Sequence, residues 1–459
     1  MSAAGLRAAL EKMRAADAAD DAMRAFARAY ERLESGASMM LPSAELEPVP
    51  DVPMLADLAG GEGSDALARL VVIKLNGGLA TTMGLEQPKS LLEAREGRSF
   101  LDIIVAQTIF ERRQRGVALP LLLMDSDATR DVSLRALGGH PELRQDLPAD
   151  FPQAMIPKLE AESHEPISWP SDPALEWCPP GHGDVYPALR RSGLLAALLE
   201  RGFTHAMIAN ADNLGATPNA AIARFVDAER IPFLMEVVEG TEADRKGGHI
   251  ARRRSDGQLV LRETAQTPPQ DEESFRDYRH WRYYNTNNLW LDLRELARLL
   301  DAADGVLELP LIVNPKTVDP RDASSPAVLQ LESAMGAAIS SFPGARIVCV
   351  PRTRFVPVKT TDDLLLLRSD AYALTASMSV EPVPERAARL PLVALDPRYY
   401  RLLADFERRF PAGPPSLRDA ERLTVTGDVT FGADVVVRGA VSLEAAQPER
   451  IADGSVLSG

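Results

Sequence analysis

The sequence predicts an α/β protein with a mixed, mostly parallel sheet, a helical extension at its N-terminus and a short strand-rich tail. Three observations carry this. Between about residues 68 and 350, short apolar runs alternate with helix-like segments, as in a sheet covered by helices. Residues 1–35 are Ala-rich, with apolar side chains at helical spacing. Leu423–Leu443, LTVTGDVTFGADVVVRGAVSL, has short apolar runs separated by Gly427, Gly432 and Gly439.

In the extension, Leu6, Leu10, Met13, Met23, Phe26, Tyr30 and Leu33 share a face, and Gly36 ends the helix. The apolar repeat is not sustained as heptads, so packing on the core is expected rather than a coiled coil. Residues 37–65 read as a connecting loop, which closes the first segment, 1–65. The core, 66–380, has strands at Leu70–Leu75, Leu119–Met124, Thr204–Ala209, Ile231–Val238 and Ile347–Val350. Its helices are Phe100–Gln114, Val185–Arg201 and Leu291–Leu300. Residues 381–415 form a connector whose Pro-rich part, 381–397, reads as a linker. The tail, 416–459, is either a stack of short strands or a plain meander on its pattern alone.

The chain has 459 residues, 25% charged, with a formal net charge of -15. That balance disfavours a general nucleic-acid binder. Arg252-Arg253-Arg254 beside Asp256-Gly257 reads as a solvated hairpin face. Two cysteines, Cys178 and Cys349, imply no disulfide framework and fit a reducing cytoplasm. No apolar run reaches membrane-spanning length, and charges interrupt any secretory core, so no membrane association is expected.

Chemistry concentrates first at Val71–Ser90, VVIKLNGGLATTMGLEQPKS. An apolar strand runs into a loop with Gly77, Gly78 and Gly84, closed by Pro88-Lys89-Ser90. Glycines let backbone N–H groups approach an anion, and lysine adds a point charge. Neither GxxxxGK[ST] nor GxGxxG is present. Asp212, in NADNLG after an apolar strand, suits either a hard cation or an Asx turn. Lys359 precedes a helix that Thr361 or Asp362 would cap, a combination that attracts anions. His182, among turn residues in PPGHGD, is expected to be exposed.

Five ordered segments resemble the UTP–glucose-1-phosphate uridylyltransferase family, also called UDP-glucose pyrophosphorylases. They are LNGGLATTMG...PKS, WCPPGHGDVY, NADNLGAT, YNTNNLW and RFVPVKTTDDLLLLRSD, spanning about Val71 to the C-terminus. The resemblance implies a Rossmann-like nucleotide-diphosphosugar transferase core and tips the tail towards a small β-helix-like domain. It implies UTP and glucose 1-phosphate as partners and Mg2+ as cofactor. The product would be UDP-glucose, with pyrophosphate leaving in line. It also implies roles. Lys89 and Lys359 would be catalytic, and Asp212 would hold the metal. Leu75, Asn76, Gly77, Gly78, Gln153, Gly181 and Asn210 would bind the nucleotide, the loop residues presenting backbone. His182, Gly248, Glu263, Asn285 and Asn287 would contact the sugar phosphate. Such a reaction needs no general base, because the attacking phosphate is already anionic; cations and positioning must do the work.

Two positions depart from the family. Ala80 stands where Gly is usual, a strain if its φ is positive. His249 stands where Thr is frequent, which bears on sugar selectivity. Asn76-Gly77-Gly78, rather than Ala-Gly-Gly, favours glucose over N-acetylhexosamine; a broader-specificity UDP-sugar pyrophosphorylase is the nearest alternative. A non-catalytic sugar-nucleotide sensor would be expected to lose a lysine or Asp212. An NAD-dependent oxidoreductase is disfavoured by the loop. Longer family members self-associate through the C-terminal end, which leaves a homo-oligomer through that domain an open expectation.

Overall fold

The computed structural model describes residues 2–36, 40–58, 66–80, 83–85, 87–387 and 389–459. Residues 37–39 and 59–65 of the expected connecting loop, and Thr81, Thr82 and Glu86 of the glycine loop, lie outside them.

Among the described residues the central sheet has ten strands. In chain order they are β1 (Leu46–Pro48), β2 (Leu70–Leu75), β3 (Leu121–Asp125), β4 (Asp150–Pro152), β5 (His205–Asn210), β6 (Phe233–Glu239), β7 (His249–Arg253), β8 (Leu259–Arg262), β9 (Tyr283–Asp292) and β10 (Arg346–Cys349). The spatial order is β1-β7-β9-β5-β2-β3-β4, with β6 joining β9 to β10 and β8 beside β7. Strands β5, β2, β3 and β4 form a parallel block, and β6 pairs in parallel with β10. Strand β9 enters antiparallel to both β5 and β6. Strand β2 is almost wholly buried because helices cover both faces of the parallel block, which explains its unbroken apolar run.

Most expected elements form within two residues of their predicted ends. Ser99 caps Phe100–Arg115 through a capping box with Asp102, and Gly116 ends that helix at φ 65°. Three expectations needed correction. The N-terminal segment is two helices, Ser2–Ala15 and Asp20–Ser35, separated by a turn with Asp17 at φ 53°. Val185–Arg201 is also two helices, Val185–Arg191 and Leu194–Glu200, parted by Gly193 at φ 77°. Leu291 and Asp292 end β9, and the helix starts at Leu293 because Asp292 caps it. Gly36 does end the second helix, in the left-handed conformation.

The N-terminal helices pack on the body. Met13, Phe26 and Tyr30 share a cluster with Ile156, Leu159 and Leu331. Leu311–Thr317 and Ala327–Ser333 form an antiparallel pair outside the expected strands. The C-terminal strands stack in parallel: Leu392–Leu395, Ser416–Thr426, Val436–Glu444 and Val456–Ser458 in one sheet, Val429–Phe431 and Glu449–Ile451 in another. A meander would pair antiparallel, so this is β-helical stacking. Leu392–Leu395 belongs to the stack although it falls in the Pro-rich stretch read as linker. Among the described residues, no helix is long and apolar enough to cross a membrane.

Candidate active site

The carboxyl ends of β2, β3 and β5 open onto one cavity of about 340 Å3, the place where open α/β sheets bind ligands. Leu75, Asn76, Gly77, Gly78 and Lys89 line it from the glycine loop, and Asn210 and Asp212 from the end of β5. Gln153, Gly181 and His182 close the other side. Residues from four distant segments therefore meet at this cavity. Lys359, Gly248, Glu263, Asn285 and Asn287 are not among its walls.

The glycine loop is held from below. Asn76 departs from its expected part. Its N–H donates to the Met124 carbonyl, and its buried amide donates to Asp125 (2.6 Å) and Ser133 (2.7 Å). Its backbone donor is therefore spent inside the protein, and the side chain anchors the loop. At Gly77 a Cβ would lie 2.5 Å from the Gln153 amide nitrogen, so a side chain there would displace Gln153. Ala80 is buried and does not have a positive φ, so the usual glycine is not needed and no strain arises.

Lys89 Nζ lies 2.8 Å from Asp212 Oδ2, each side chain 19% exposed. The other oxygen, Asp212 Oδ1, is buried without a hydrogen-bond partner. Asp212 does not form an Asx turn; its neighbour Asn213 does, accepting from Gly215 N–H. Among the described residues, no group of three or more His, Cys, Asp or Glu side chains could cage a metal. A single carboxylate with an unused oxygen fits a hard cation that completes its shell with phosphate oxygens and water.

His182 is not the exposed turn residue expected. It is half-buried, and Nδ1 accepts a 2.9 Å hydrogen bond from Met335 N–H. That bond places the ring proton on Nε2. Burial pushes its pKa down to about 4, so it is a neutral donor near pH 7. Gln153 is buried, and Asp184 fixes its loop by accepting from Ala154 N–H (2.6 Å) and Arg191 (3.0 Å). Gly181 has φ 80°, and a Cβ there would sit 2.5 Å from the Ser333 carbonyl oxygen. Gly181→Ala should therefore cost about 2 kcal/mol of stability, read by thermal unfolding. An unchanged value would show that the turn relaxes freely.

The remaining predicted residues form a second cluster. Glu263 carboxylate atoms lie 2.6 Å from where a Cβ on Gly248 would stand, and Asn285 N–H donates to the Gly248 carbonyl. Asn285 and Asn287 bond each other twice at 2.8 Å, with Asn287 at φ 57° where β9 shifts register against β6. Burial pushes the Glu263 pKa up to about 6, opposed by the positive charge of Lys359. Lys359 is exposed, and Val358 N–H donates to the Asp212 carbonyl at 3.2 Å, so its segment abuts the Asp212 loop. The helix after it is capped by Thr360 with Asp363, not by Thr361 or Asp362.

Three buried charges beneath the cavity were missed. Lys74, inside β2, donates to the Ala216 carbonyl at 2.7 Å; burial and Arg354 push its pKa down to about 7, against Glu236 and Asp212. Glu236 and Arg354 form a buried two-pronged ion pair, both contacts 2.7 Å. The sequence signal is a lone charge inside an apolar run, VVIKL and FLMEVV, which is costly unless paired.

His249 does not line the cavity. Its fully buried ring stacks on Trp281 at 4.7 Å and packs against Phe275 and Tyr284, and neither nitrogen has a partner. Burial, then Arg262 and His280, push its pKa down to about 3. The unfolded chain binds this proton near pH 6.5 and the folded chain does not. Stability is therefore complete above about pH 6.5 and falls as the pH drops towards 3. His249→Phe should flatten that acid limb in pH-dependent thermal unfolding; an identical limb would assign acid loss elsewhere. The arginine triplet is locally satisfied, with Arg253 on Asp256 (2.6 Å), Arg252 on the Gly257 carbonyl (2.6 Å) and Arg254 on Glu47 (3.4 Å). Both cysteines are buried free thiols.

A glycine loop, a lysine–aspartate pair and a spare carboxylate oxygen at the carboxyl ends of a parallel block suit nucleotidyl transfer. The family model described as UTP–glucose-1-phosphate uridylyltransferase matches residues 23–438, and the chain belongs to that family. It is similar to the UTP–glucose-1-phosphate uridylyltransferase of Solanum tuberosum, 40% identical over 86% of this chain and 82% of that one. A probable UTP–glucose-1-phosphate uridylyltransferase of Schizosaccharomyces pombe is 39% identical over 87% and 78%. Among solved structures, the UDP-glucose phosphorylase of Trypanosoma brucei superposes with a TM-score of 0.94 at 41% identity, covering 99% of this chain and 98% of its own. A variant of the Leishmania major UDP-glucose pyrophosphorylase in complex with UDP-glucose gives 0.93 at 40%, with the same coverage.

Proposed function

We propose that this chain transfers the uridylyl group of UTP to glucose 1-phosphate. A phosphate oxygen of the sugar attacks the α-phosphorus, the bond to the bridging oxygen breaks, and pyrophosphate leaves. The observation that carries this is the single cavity that joins the glycine loop, Gln153, Lys89 and Asp212 at the carboxyl ends of β2 and β5. Gln153, with donor and acceptor on one amide, suits a uracil edge. Gly77 leaves room for it. Lys89 neutralises the departing phosphates once released from Asp212, and His182 donates through Nε2 to an anionic oxygen. Glu263, Asn285 and Asn287 contact sugar hydroxyls, where neutral amides add no charge to an already anionic substrate. Lys359, whose charge reaches Glu263 and whose neighbour Val358 bonds the Asp212 carbonyl, would offset charge on the phosphate being transferred. Asp212 Oδ1 would hold Mg2+, which offsets phosphate charge.

The reducing cytoplasm fits the two free thiols, and the exposed Val456 strand at the end of the stack offers a face for homo-oligomer formation. The test is pyrophosphate release with Mg2+, UTP and a panel of sugar 1-phosphates, with ATP, TTP and GTP as controls. Release confined to UTP with glucose 1-phosphate is expected. Release with several sugars would replace this reading by the broader-specificity one, and none at all would refute transfer.

A further inference from the structure

Glu236 has no exposed surface, yet its two oxygens accept four hydrogen bonds. Arg354 supplies two, Nε to Oε2 and Nη2 to Oε1, both at 2.7 Å. Asn288 donates to Oε2 at 3.2 Å and Trp290 to Oε1 at 2.9 Å. Two of these partners, Asn288 and Arg354, lead towards the site. Asn288 follows Asn287 on β9. The Arg354 carbonyl accepts from Asn213 at 3.1 Å, and its guanidinium donates to the Thr217 carbonyl at 2.8 Å. Val356 N–H donates to Asn213 Oδ1 at 2.9 Å, and Val358 N–H to the Asp212 carbonyl at 3.2 Å. The strip from Arg354 to Val358 is thus fastened along the loop that carries Asp212, and the next residue is Lys359.

A buried ion pair is weak evidence for stability, since apolar residues of similar volume often serve as well. What this pair adds is register. Its forked geometry restricts the placement of the Arg354 backbone, and the strip carries that placement to Lys359, five residues on. We propose that Glu236 is a positioning residue for the transfer step, acting through Arg354 to set Lys359 against the Asp212 loop. This rests on the reading of Lys359 given above. Among the described residues, Gly77 and Gln153 make no hydrogen bond to Glu236, Arg354 or the strip, so the base end of UTP should be bound largely independently of Glu236.

The test is a double-mutant cycle with Glu236→Gln and Arg354→Lys, each made in the native chain and in Lys359→Ala. Steady-state pyrophosphate release, UTP titration and thermal unfolding are measured throughout. In the native chain Glu236→Gln should lower kcat roughly 100-fold, the scale of a misplacement of about 1 Å, with KM for UTP held within about threefold. In Lys359→Ala the same change should cost less than about threefold, because the group it positions is gone. Arg354→Lys keeps the charge and loses the fork, so it should show the same pattern at smaller size. It carries the test if Glu236→Gln fails to fold. Equal losses on both backgrounds, or a rise in KM for UTP with kcat unchanged, overturn the positioning role alone. An unchanged kcat in Lys359→Ala itself overturns the reading of Lys359 and this inference with it.

Discussion

Lys359→Ala is expected to lower kcat roughly 1,000-fold while KM for glucose 1-phosphate moves little. The physical reason is where the charge is needed. On the proposed reading, glucose 1-phosphate is held largely by the neutral groups of Asn285, Asn287 and the His182 ring, so its ground-state affinity should not depend on one ammonium. In the transition state, negative charge spreads over the oxygens of the transferring phosphoryl group. On the same reading, a lysine beside the Asp212 loop would meet that charge at its maximum. An interaction made only in the transition state appears in kcat and leaves KM alone. Lys359→Arg should recover little, because the planar guanidinium places its charge differently. Steady-state kinetics in both substrates decides the matter. A rise in KM with kcat unchanged would make Lys359 a docking residue and remove it from the transfer step.

The parts of this molecule that were legible in its sequence share one property: each is local. The strands of the parallel block are short apolar runs because helices bury both faces, so periodicity alone found β2 and β5. The glycine loop, Asp212 and Lys359 each sit beside a recognisable strand end or helix start. What was illegible depends on distant partners. Nothing within PPGHGD says that His182 will accept a hydrogen bond from Met335, 153 residues away. Nothing around Asn76 shows that Met124, Asp125 and Ser133 will take its polar groups. The breaks at Asp17 and Gly193 lie inside apolar patterns that continue past them, and periodicity does not register a turn that preserves the face. Lys74 and Glu236 are lone charges within apolar runs, a signal the reading passed over, and the pairing of Glu236 with Arg354 emerges only from the register of β6 against β9 and the return of the 354–358 strip.

Asp212→Asn should separate two functions that one carboxylate now performs. In the ligand-free protein its Oδ2 holds Lys89 at 2.8 Å, and its Oδ1 is buried without a partner. The carboxamide is nearly the same shape, so the loop should keep its fold, since Asn213 rather than Asp212 supplies the local turn bonds. Two consequences of opposite sign follow. Removing a negative charge from a polyanion site, and freeing Lys89, should tighten binding of UTP in excess chelator by up to about tenfold, on the order of 1 kcal/mol. Losing the charged oxygen that fits a hard cation should cut turnover at saturating Mg2+ roughly 100- to 1,000-fold and raise the Mg2+ concentration needed for half-activity. Native protein in excess EDTA should likewise bind UTP and release almost no pyrophosphate. Tighter metal-free binding together with slower turnover is a combination that simple unfolding cannot produce, because a damaged site loses both. Native-like turnover in Asp212→Asn, or full activity of the native chain in EDTA, would take the metal away from this residue and leave Asp212 as the counter-ion of Lys89 alone.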